Sequence, residues 1–313
     1  MKTILLVSNS ISSGSFGGVN NYIKSLYTNF DEPQMRLKHF SLGKSPNWYK
    51  GKGRMDKYTY FFSQFFVFIK LVSFLSKKQI SLVHFFPSLS KSYIIRLFFL
   101  QLGVRMTGVK CIVHFRGWNS SVMASLSESF FLSLFFRYII DTSSKVLVLA
   151  TDFKTEIRNF LPDILDSKIL VTTTMVSPEK YKIKRNYRNE PNNLLFCGEI
   201  KKSKGIFLLL AAIPELILTY SKIKLLIMGS GTDNKALIQE IKSRKLENHV
   251  YYFGYLSEKE KIILYKSSDI FVFPTYHNEG FPNVIPEALA SGLPIITTPV
   301  GGIKDSIKDG ING

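Results

Sequence analysis

Two carboxylates stand close together in the segment Phe271–Pro299. Glu279 and Glu287 are separated by seven residues, and the segment reads FVFPTYHNEGFPNVIPEALASGLPIITTP. Ionised carboxylates accept hydrogen bonds, so two of them in one pocket could bind different hydroxyl groups of a single ligand. The alternative is that both are solvated surface acids, which is the usual position of charged side chains. The elements predicted around them favour the ligand.

The predicted secondary structure places both glutamates at an edge where ligands bind. Ile270–Phe273 is a β-prone apolar run and predicts a buried strand. Asn283 is predicted to cap a helix that has Pro286 in its first turn and contains Glu287. Glu279 then lies in the loop between strand and helix, where open α/β sheets bind ligands and free N–H groups favour anions. A nucleotide sugar fits, because its diphosphate suits the N–H groups and its hydroxyls suit the carboxylates.

A second junction of strand, loop and helix offers positive charge. The predicted strand Asn193–Gly198 is followed by Lys201, Lys202 and Lys204, and a helix is predicted from Ile206. Ammonium groups beside a helix N-terminus suit a diphosphate. The alternative is a solvated run of lysines.

The stretch around the two glutamates resembles the signature of family 4 of the retaining glycosyltransferases, which have the two-domain GT-B fold. The resemblance rests on the E-x7-E spacing, on Pro299–Gly302 and on Asp309–Gly313. It implies that Glu279 contacts the donor sugar and that Glu287 binds the ribose hydroxyls. The implied donor loop consists of Gly280, Phe281, Pro282, Asn283 and Val284.

Other residues match the family pattern elsewhere in the chain. The donor-binding residues that the resemblance implies there are Gly17, Gly18, Gly198, Lys204, Gly205, Gly229 and Tyr255. One position departs from the pattern, because the family has an arginine where this chain has Glu199. An acid beside a diphosphate is unfavourable, so we expect Lys201 or Lys202 to supply the missing charge.

The first half of the chain contributes two further candidate catalytic residues beside Glu279. The predicted strand Cys111–Phe115 leads into Arg116, where the family usually has a histidine that reaches the reaction centre. His114 lies two residues earlier, and strand alternation puts both side chains on one face. Arg116 could hold a phosphate or carboxylate through two hydrogen bonds. The alternative for His114 is a packed core histidine.

Predicted strands and helices alternate along the chain, which is typical of parallel sheets covered by helices. The resemblance implies an α/β, GT-B fold with two Rossmann-like parallel-sheet domains facing a central cleft. We expect an acceptor-side domain at 1–175, a polar linker at 176–192 and a nucleotide-sugar-binding domain at 193–313. Because the family normally continues further, we expect this second domain to be incomplete and the chain to be a C-terminally truncated fragment.

The net charge of +18 is concentrated in the first part of the chain. Residues 1–190 contain 27 Lys and Arg against 11 Asp and Glu, whereas 191–313 contain 14 against 12. Between Arg36 and Lys110 the basic residues are interleaved with phenylalanines, which predicts attachment to an anionic membrane surface. The alternative is a solvated basic face over a Phe-rich core. No nucleic-acid-binding motif accompanies the charge, so nucleic acid is not an expected partner.

Cysteine usage and hydropathy indicate the compartment. Cys111 and Cys197 both lie in apolar runs, as buried thiols do in a reducing environment. No signal-peptide pattern is present, and no apolar run approaches the roughly 20 residues of a membrane span. We therefore expect a cytoplasmic protein that is peripheral on the inner face of the cytoplasmic membrane.

These features together predict a retaining hexosyltransferase that moves a sugar from a nucleotide-diphosphate donor to an acceptor hydroxyl. We expect no cofactor and no metal, because the chain contains no Asp-x-Asp pair to clamp a nucleotide-bound cation. The basic first domain favours a polyprenyl-linked or other saccharide acceptor, as in bacterial envelope polysaccharide synthesis. The alternatives are a nucleotide-sugar epimerase and a non-catalytic GT-B protein that binds a membrane surface or a partner.

Overall fold

The computed structural model describes residues 2–9, 18–43, 54–77, 79–182, 192–277 and 279–313, with the backbone alone for 54–63. The predicted donor residue Gly17 and residues 183–191 of the predicted linker lie outside this described part. The chain forms two compact units, Met1–Thr173 and Thr174–Gly313.

The first unit is built on a six-stranded parallel sheet. Its strand order is β2-β1-β3-β4-β5-β6. The strands are β1 (Lys2–Ser8), β2 (Met35–Ser41), β3 (Leu82–Phe85), β4 (Lys110–His114), β5 (Lys145–Val148) and β6 (Ile169–Val171). The helices are α1 (Gly18–Asn29), α2 (Arg54–Ser76), α3 (Lys91–Met106), α4 (Ser120–Leu126), α5 (Phe130–Thr142) and α6 (Thr151–Phe160). Helices cover such a sheet, so its inner strands are apolar, as in the fully buried run Leu5–Val7 of β1.

The second unit has a five-stranded parallel sheet of order β11-β10-β7-β8-β9. The strands are β7 (Asn193–Cys197), β8 (Lys224–Met228), β9 (Val250–Tyr252), β10 (Ile270–Phe273) and β11 (Ile295–Thr297). The helices are α7 (Pro178–Tyr181), α8 (Ile206–Thr219), α9 (Asn234–Ser243), α10 (Glu258–Ser267), α11 (Val284–Ala290) and α12 (Ile303–Ser306).

The predicted class, two parallel-sheet α/β domains, is confirmed. The structure adds detail to the sequence-based expectation. Residues 174–182 belong to the second unit and contain helix α7, so the described part of the predicted linker is not a free connection. Helix α10 was not predicted, although Ser257 and Glu260 form a capping box at its start.

Candidate donor-binding site in the second unit

The loops of the second unit meet at one edge of its sheet, because its strands are all parallel. The chain runs from β7 outward through β8 to β9 and then returns to the other side of β7 as β10. Such a reversal opens a crevice between two loops, and open α/β sheets bind ligands there. The two loops here are 198–205 and 274–283, which contain Lys204 and Glu279.

Lys204 and Glu279 form an ion pair within this crevice. The Lys204 ammonium contacts Glu279 Oε1, and each side chain is only 11% exposed. The Thr275 hydroxyl donates to the same carboxylate oxygen at 3.3 Å. Opposite charges in a poorly solvated place attract strongly, so each neutralises the other. The structure thus brings together the residues predicted to bind diphosphate and sugar, and it pairs them with each other.

A histidine that the sequence analysis missed borders this pair. His277 Nδ1 lies 3.3 Å from the Ser203 hydroxyl, and the His277 amide donates to Thr275 Oγ1 at 3.2 Å. Burial lowers the pKa of His277, and the charge of Lys204 lowers it further. His277 therefore offers a neutral imidazole beside Lys204 and Glu279. Its position between a predicted strand end and Glu279 was the available signal.

Two predicted glycines are required by close backbone contacts. Gly205 has φ of +80°, and a Cβ there would overlap the carbonyl oxygen of Pro274. Gly229 has φ of +133°, and a Cβ there would overlap the carbonyl oxygen of Gly198. Only glycine combines these conformations with such close approach. The 198–205 loop is therefore fixed against both neighbouring loops, which places Lys204.

Glu287 is buried and has two partners on helix α10. Lys261 Nζ lies 2.5 Å from Oε1 of Glu287, and the Tyr265 hydroxyl donates to Oε2 at 3.0 Å. Burial by itself lowers the pKa of Lys261, but the charge of Glu287, its hydrogen bond and the neighbouring Cys197 and Tyr181 together make the net shift upward. Burial and the charge of Glu287 raise the pKa of Cys197, behind them, to about 12. The predicted ribose ligand is thus a carboxylate whose two oxygens are both contacted from helix α10.

The predicted donor loop surrounds the start of helix α11. Asn283 is the residue before α11, but its side chain makes no capping hydrogen bond among the described residues, which corrects the predicted cap. Instead Asn283 Oδ1 accepts a hydrogen bond of 2.6 Å from the Thr174 hydroxyl. Phe281 is buried, and the Gly280 carbonyl accepts from the Gly302 amide at 2.8 Å. The loop is therefore held by a side-chain hydrogen bond at Asn283 and by a backbone hydrogen bond at Gly280.

The remaining predicted donor residues lie on the same edge. Gly198 follows β7, and Pro282 and Val284 flank Asn283 at the start of α11. Tyr255 follows β9 and is exposed. Glu199, which stands where the family has an arginine, is also exposed. Its negative charge offsets a small part of the lowering of the His277 pKa.

His114 and Arg116 lie in the first unit, among aromatic rings. His114 is fully buried, and its Nε2 lies 3.4 Å from Arg116 Nη1. The Arg116 guanidinium stacks over the Tyr22 ring with 4.0 Å to the centroid. Burial and the charge of Arg116 lower the pKa of His114 to about 2, and burial lowers that of Arg116 to about 10. The burial favours the packed-histidine alternative, and the reaction-centre role of both residues stays a prediction. Gly18 begins helix α1 of this unit.

Comparison with known proteins finds a family model that matches most of the second unit. Residues 178–313 match the family model of Glycosyl transferases group 1. Over these residues the second unit is similar to the group 1 glycosyl transferases. Lys204, Glu279 and Glu287 all lie inside the matched residues.

The curated proteins that are similar to this chain include enzymes named for bacterial glycans. Over 129 residues the chain is 32% identical to a glycogen synthase of Mycobacterium tuberculosis (strain CDC 1551 / Oshkosh), covering 41% of this chain and 31% of that protein. Over 144 residues it is 32% identical to the capsular polysaccharide biosynthesis glycosyltransferase CapM of Staphylococcus aureus, covering 43% and 37%. The chain spans about a third of the length of these relatives.

Solved structures resemble the whole chain. The lipopolysaccharide outer core galactosyltransferase WaaB in its apo form gives a TM-score of 0.68 at 18% identity, covering 100% of this chain and 85% of that one. Anabaena Alr3699/HepE in complex with UDP-glucose gives 0.68 at 14% identity, with the same coverage. At such identities the likeness concerns the fold, which is the GT-B arrangement of two parallel-sheet domains.

Proposed function

We propose that this protein is a retaining glycosyltransferase that moves a hexose-type sugar from a nucleotide-diphosphate donor to an acceptor hydroxyl. The observation that carries the proposal is the meeting of Lys204 and Glu279 at the strand-order reversal of the second unit. One group suits a diphosphate and the other suits sugar hydroxyls. The solved relative with UDP-glucose, Alr3699/HepE, supports this choice of donor class.

Each candidate residue has a role set by its chemistry. Lys204 and the N–H groups of the loops would stabilise the negative charge of the departing diphosphate. Glu279 would orient the sugar and Glu287 would bind the ribose, so that much of the rate enhancement comes from positioning. A diphosphate would compete with Glu279 for Lys204, and this exchange would release the carboxylate toward the sugar. No step requires a covalent intermediate.

Metal independence belongs to the same proposal. The negative charge of the leaving diphosphate would be neutralised by positively charged protein groups. Lys204, which forms an ion pair with Glu279, is the group in position to do so. The described residues contain no cluster of three metal-binding side chains. We expect donor binding to be unaffected by a chelator, because Lys204 would supply the positive charge, and the experiment below includes this comparison.

The acceptor is proposed to be a polyprenyl-linked or other saccharide of the bacterial envelope, met at the inner face of the cytoplasmic membrane. Helix α3 packs against both α2 and α5. The exposed large apolar side chains of these three helices, which we call the aromatic face, are Phe65, Phe66, Ile69, Ile95, Phe99, Leu102, Met106, Phe130, Phe131 and Leu134. Phe130 and Phe131 are 76% and 67% exposed, and such a patch usually marks an interaction surface.

Charge favours anionic lipid as the occupant of the aromatic face. The exposed residues Lys70, Lys77, Lys91 and Arg105 lie on or next to α2 and α3, and the described side chains of these two helices include no acid. Basic groups beside exposed aromatics suit the headgroup region of an anionic bilayer. No single helix in the described residues is long and apolar enough to cross a bilayer. Helices α4 and α5, which are bent relative to each other, reach the required length and hydropathy only when they are counted as one span.

The donor site is tested by binding of UDP, GDP and ADP to the 313-residue chain, with and without EDTA. We expect one nucleotide to raise the melting temperature, EDTA to leave that rise unchanged, and Glu287→Ala to reduce it. Transfer of labelled sugar to a polyprenyl-linked saccharide then tests the reaction. If none of the three nucleotides binds, the proposal fails for this chain. Product formed without an acceptor would favour an epimerase.

A further inference from the structure

Glu287 is contacted by two residues, Lys261 and Tyr265, that have no role in the proposed function so far. Its carboxylate is 7% exposed, and both oxygens already have partners on α10, Lys261 and Tyr265. A carboxylate in such a place readily takes up a proton unless a cation stands beside it. Protonation would convert one acceptor oxygen into a donor and change what the carboxyl can bind.

Lys261 is itself shielded by the segment Thr174–Tyr181, which we call the strap. The Tyr181 ring is buried, with Lys261 Nζ 5.9 Å from its centroid and the Tyr265 ring 5.7 Å away edge-on. The strap is fixed at one end by the bond from Thr174 to Asn283 and near the other by an ion pair of 3.0 Å between Lys180 and Glu258. Excluding water strengthens the attraction between Lys261 and Glu287.

The carboxylate keeps free acceptor positions in this arrangement. Two oxygens provide about four lone-pair positions, and Lys261 and Tyr265 use two of them. The remaining two match a vicinal diol, which is what a ribose presents. The titratable groups around Glu287 are Lys261, Tyr265, Tyr181 and Cys197, with Glu258 beside Tyr181.

We propose that Lys261 and Tyr265 are positioning residues, which hold Glu287 ionised and oriented for the ribose, and that Tyr181 of the strap closes them from water. This inference rests on the proposed function, because it assigns a purpose to the predicted ribose ligand. It adds Lys261, Tyr265 and Tyr181 to the donor site, and none of the three is among the residues that the family resemblance implies.

The test combines nucleotide affinity with stability at pH 6 and pH 8. We expect Lys261→Met to weaken binding of the preferred nucleotide by tenfold or more, with a larger loss at pH 6, because the unpaired carboxylate then takes up a proton. Lys261→Arg should restore binding. Lys259→Met is the matched control, since Lys259 is exposed on the same helix and should change neither property.

The double variant Lys261→Met with Glu287→Gln separates positioning from structure. Removing both charges of a buried pair is often nearly neutral, so the double variant should regain the stability lost in Lys261→Met. It should not regain nucleotide binding. Nucleotide binding equal to wild type in the double variant would overturn the inference, because the pair would then be structural only. If wild type binds no nucleotide, the proposed function fails. If the double variant also does not regain stability, the inferred coupling between Lys261 and Glu287 is overturned as well.

Discussion

The ammonium of Lys204 contacts the carboxylate of Glu279, although 75 residues separate them in the chain. We expect Glu279→Gln to reduce transfer about 100-fold or more, because the sugar loses a charged contact in the transition state. The same change frees Lys204, so UDP, GDP or ADP without a sugar should bind more tightly than to wild type. Lys204→Met should weaken both properties. Titration calorimetry and initial rates measure them, and equal weakening of nucleotide binding by both substitutions would contradict the competition.

Gly205 should tolerate no side chain. Gly205→Ala places a Cβ against the Pro274 carbonyl at a φ of +80°, and we expect the free energy of unfolding to fall by about 2–3 kcal/mol. Gly254→Ala is the control, because its φ of +68° is similar but nothing lies within 4 Å of its Cβ, so about 1 kcal/mol is expected. Urea denaturation measures both. Equal losses would mean that the backbone conformation, and not the contact with Pro274, requires the glycine.

The first unit should lose stability in mild acid. Burial lowers the pKa of His84 to about 4 and that of His114 to about 2, and the charge of Arg116 contributes to both shifts. An unfolded histidine takes up its proton near pH 6.5, so this contribution to stability is complete above that pH and is lost as the pH falls. The free energy of unfolding should fall by about 1.4 kcal/mol per pH unit for each histidine, for His84 down to about pH 4.

Tryptophan fluorescence during urea unfolding reports on this acid effect, since both tryptophans of the chain belong to the first unit. The variant with His84→Leu and His114→Leu should show a shallower dependence between pH 6.5 and pH 4.5. The same slope in wild type and variant would show that other groups cause the acid sensitivity.

The aromatic face should direct binding to anionic vesicles. The triple change of Phe99, Phe130 and Phe131 to Ser should weaken binding to vesicles containing phosphatidylglycerol at least about tenfold, because each ring loses apolar burial. Ile263→Ser removes an exposed apolar residue of the second unit and serves as the control. Lys70→Gln with Arg105→Gln should reduce the salt-sensitive part of the binding. Co-sedimentation measures it, and unchanged binding in the triple variant would exclude this face.

Local sequence signals predicted the strands and the donor loops, because apolar runs and glycine positions act within a few residues. Gly205 and Gly229 were implied by the family resemblance, and the structure gives each a close backbone contact. Helix α10 was missed because its apolar residues Ile262–Tyr265 are adjacent and do not follow a helical period. Its capping residues Ser257 and Glu260 were the better signal.

Long-range pairing was beyond local reasoning. The contact between Lys204 and Glu279 depends on the strand order, which puts β7 beside β10. The role of Asn283 depends on Thr174, which is 109 residues away and takes up the side-chain oxygen that a cap would use. The preference of asparagine for helix starts predicts the position of Asn283 correctly. It cannot predict a hydrogen bond from a hydroxyl that is distant in the sequence.

The strap determines how the protein can be divided for biochemical work. A fragment that begins at the first strand of the second sheet, Asn193, would lack Tyr181 and would open the hydrophobic cover over Lys261. A fragment that begins at Thr174 would retain that cover together with the bond to Asn283. The shorter piece should therefore be the less soluble when expressed alone, even though its sheet is intact.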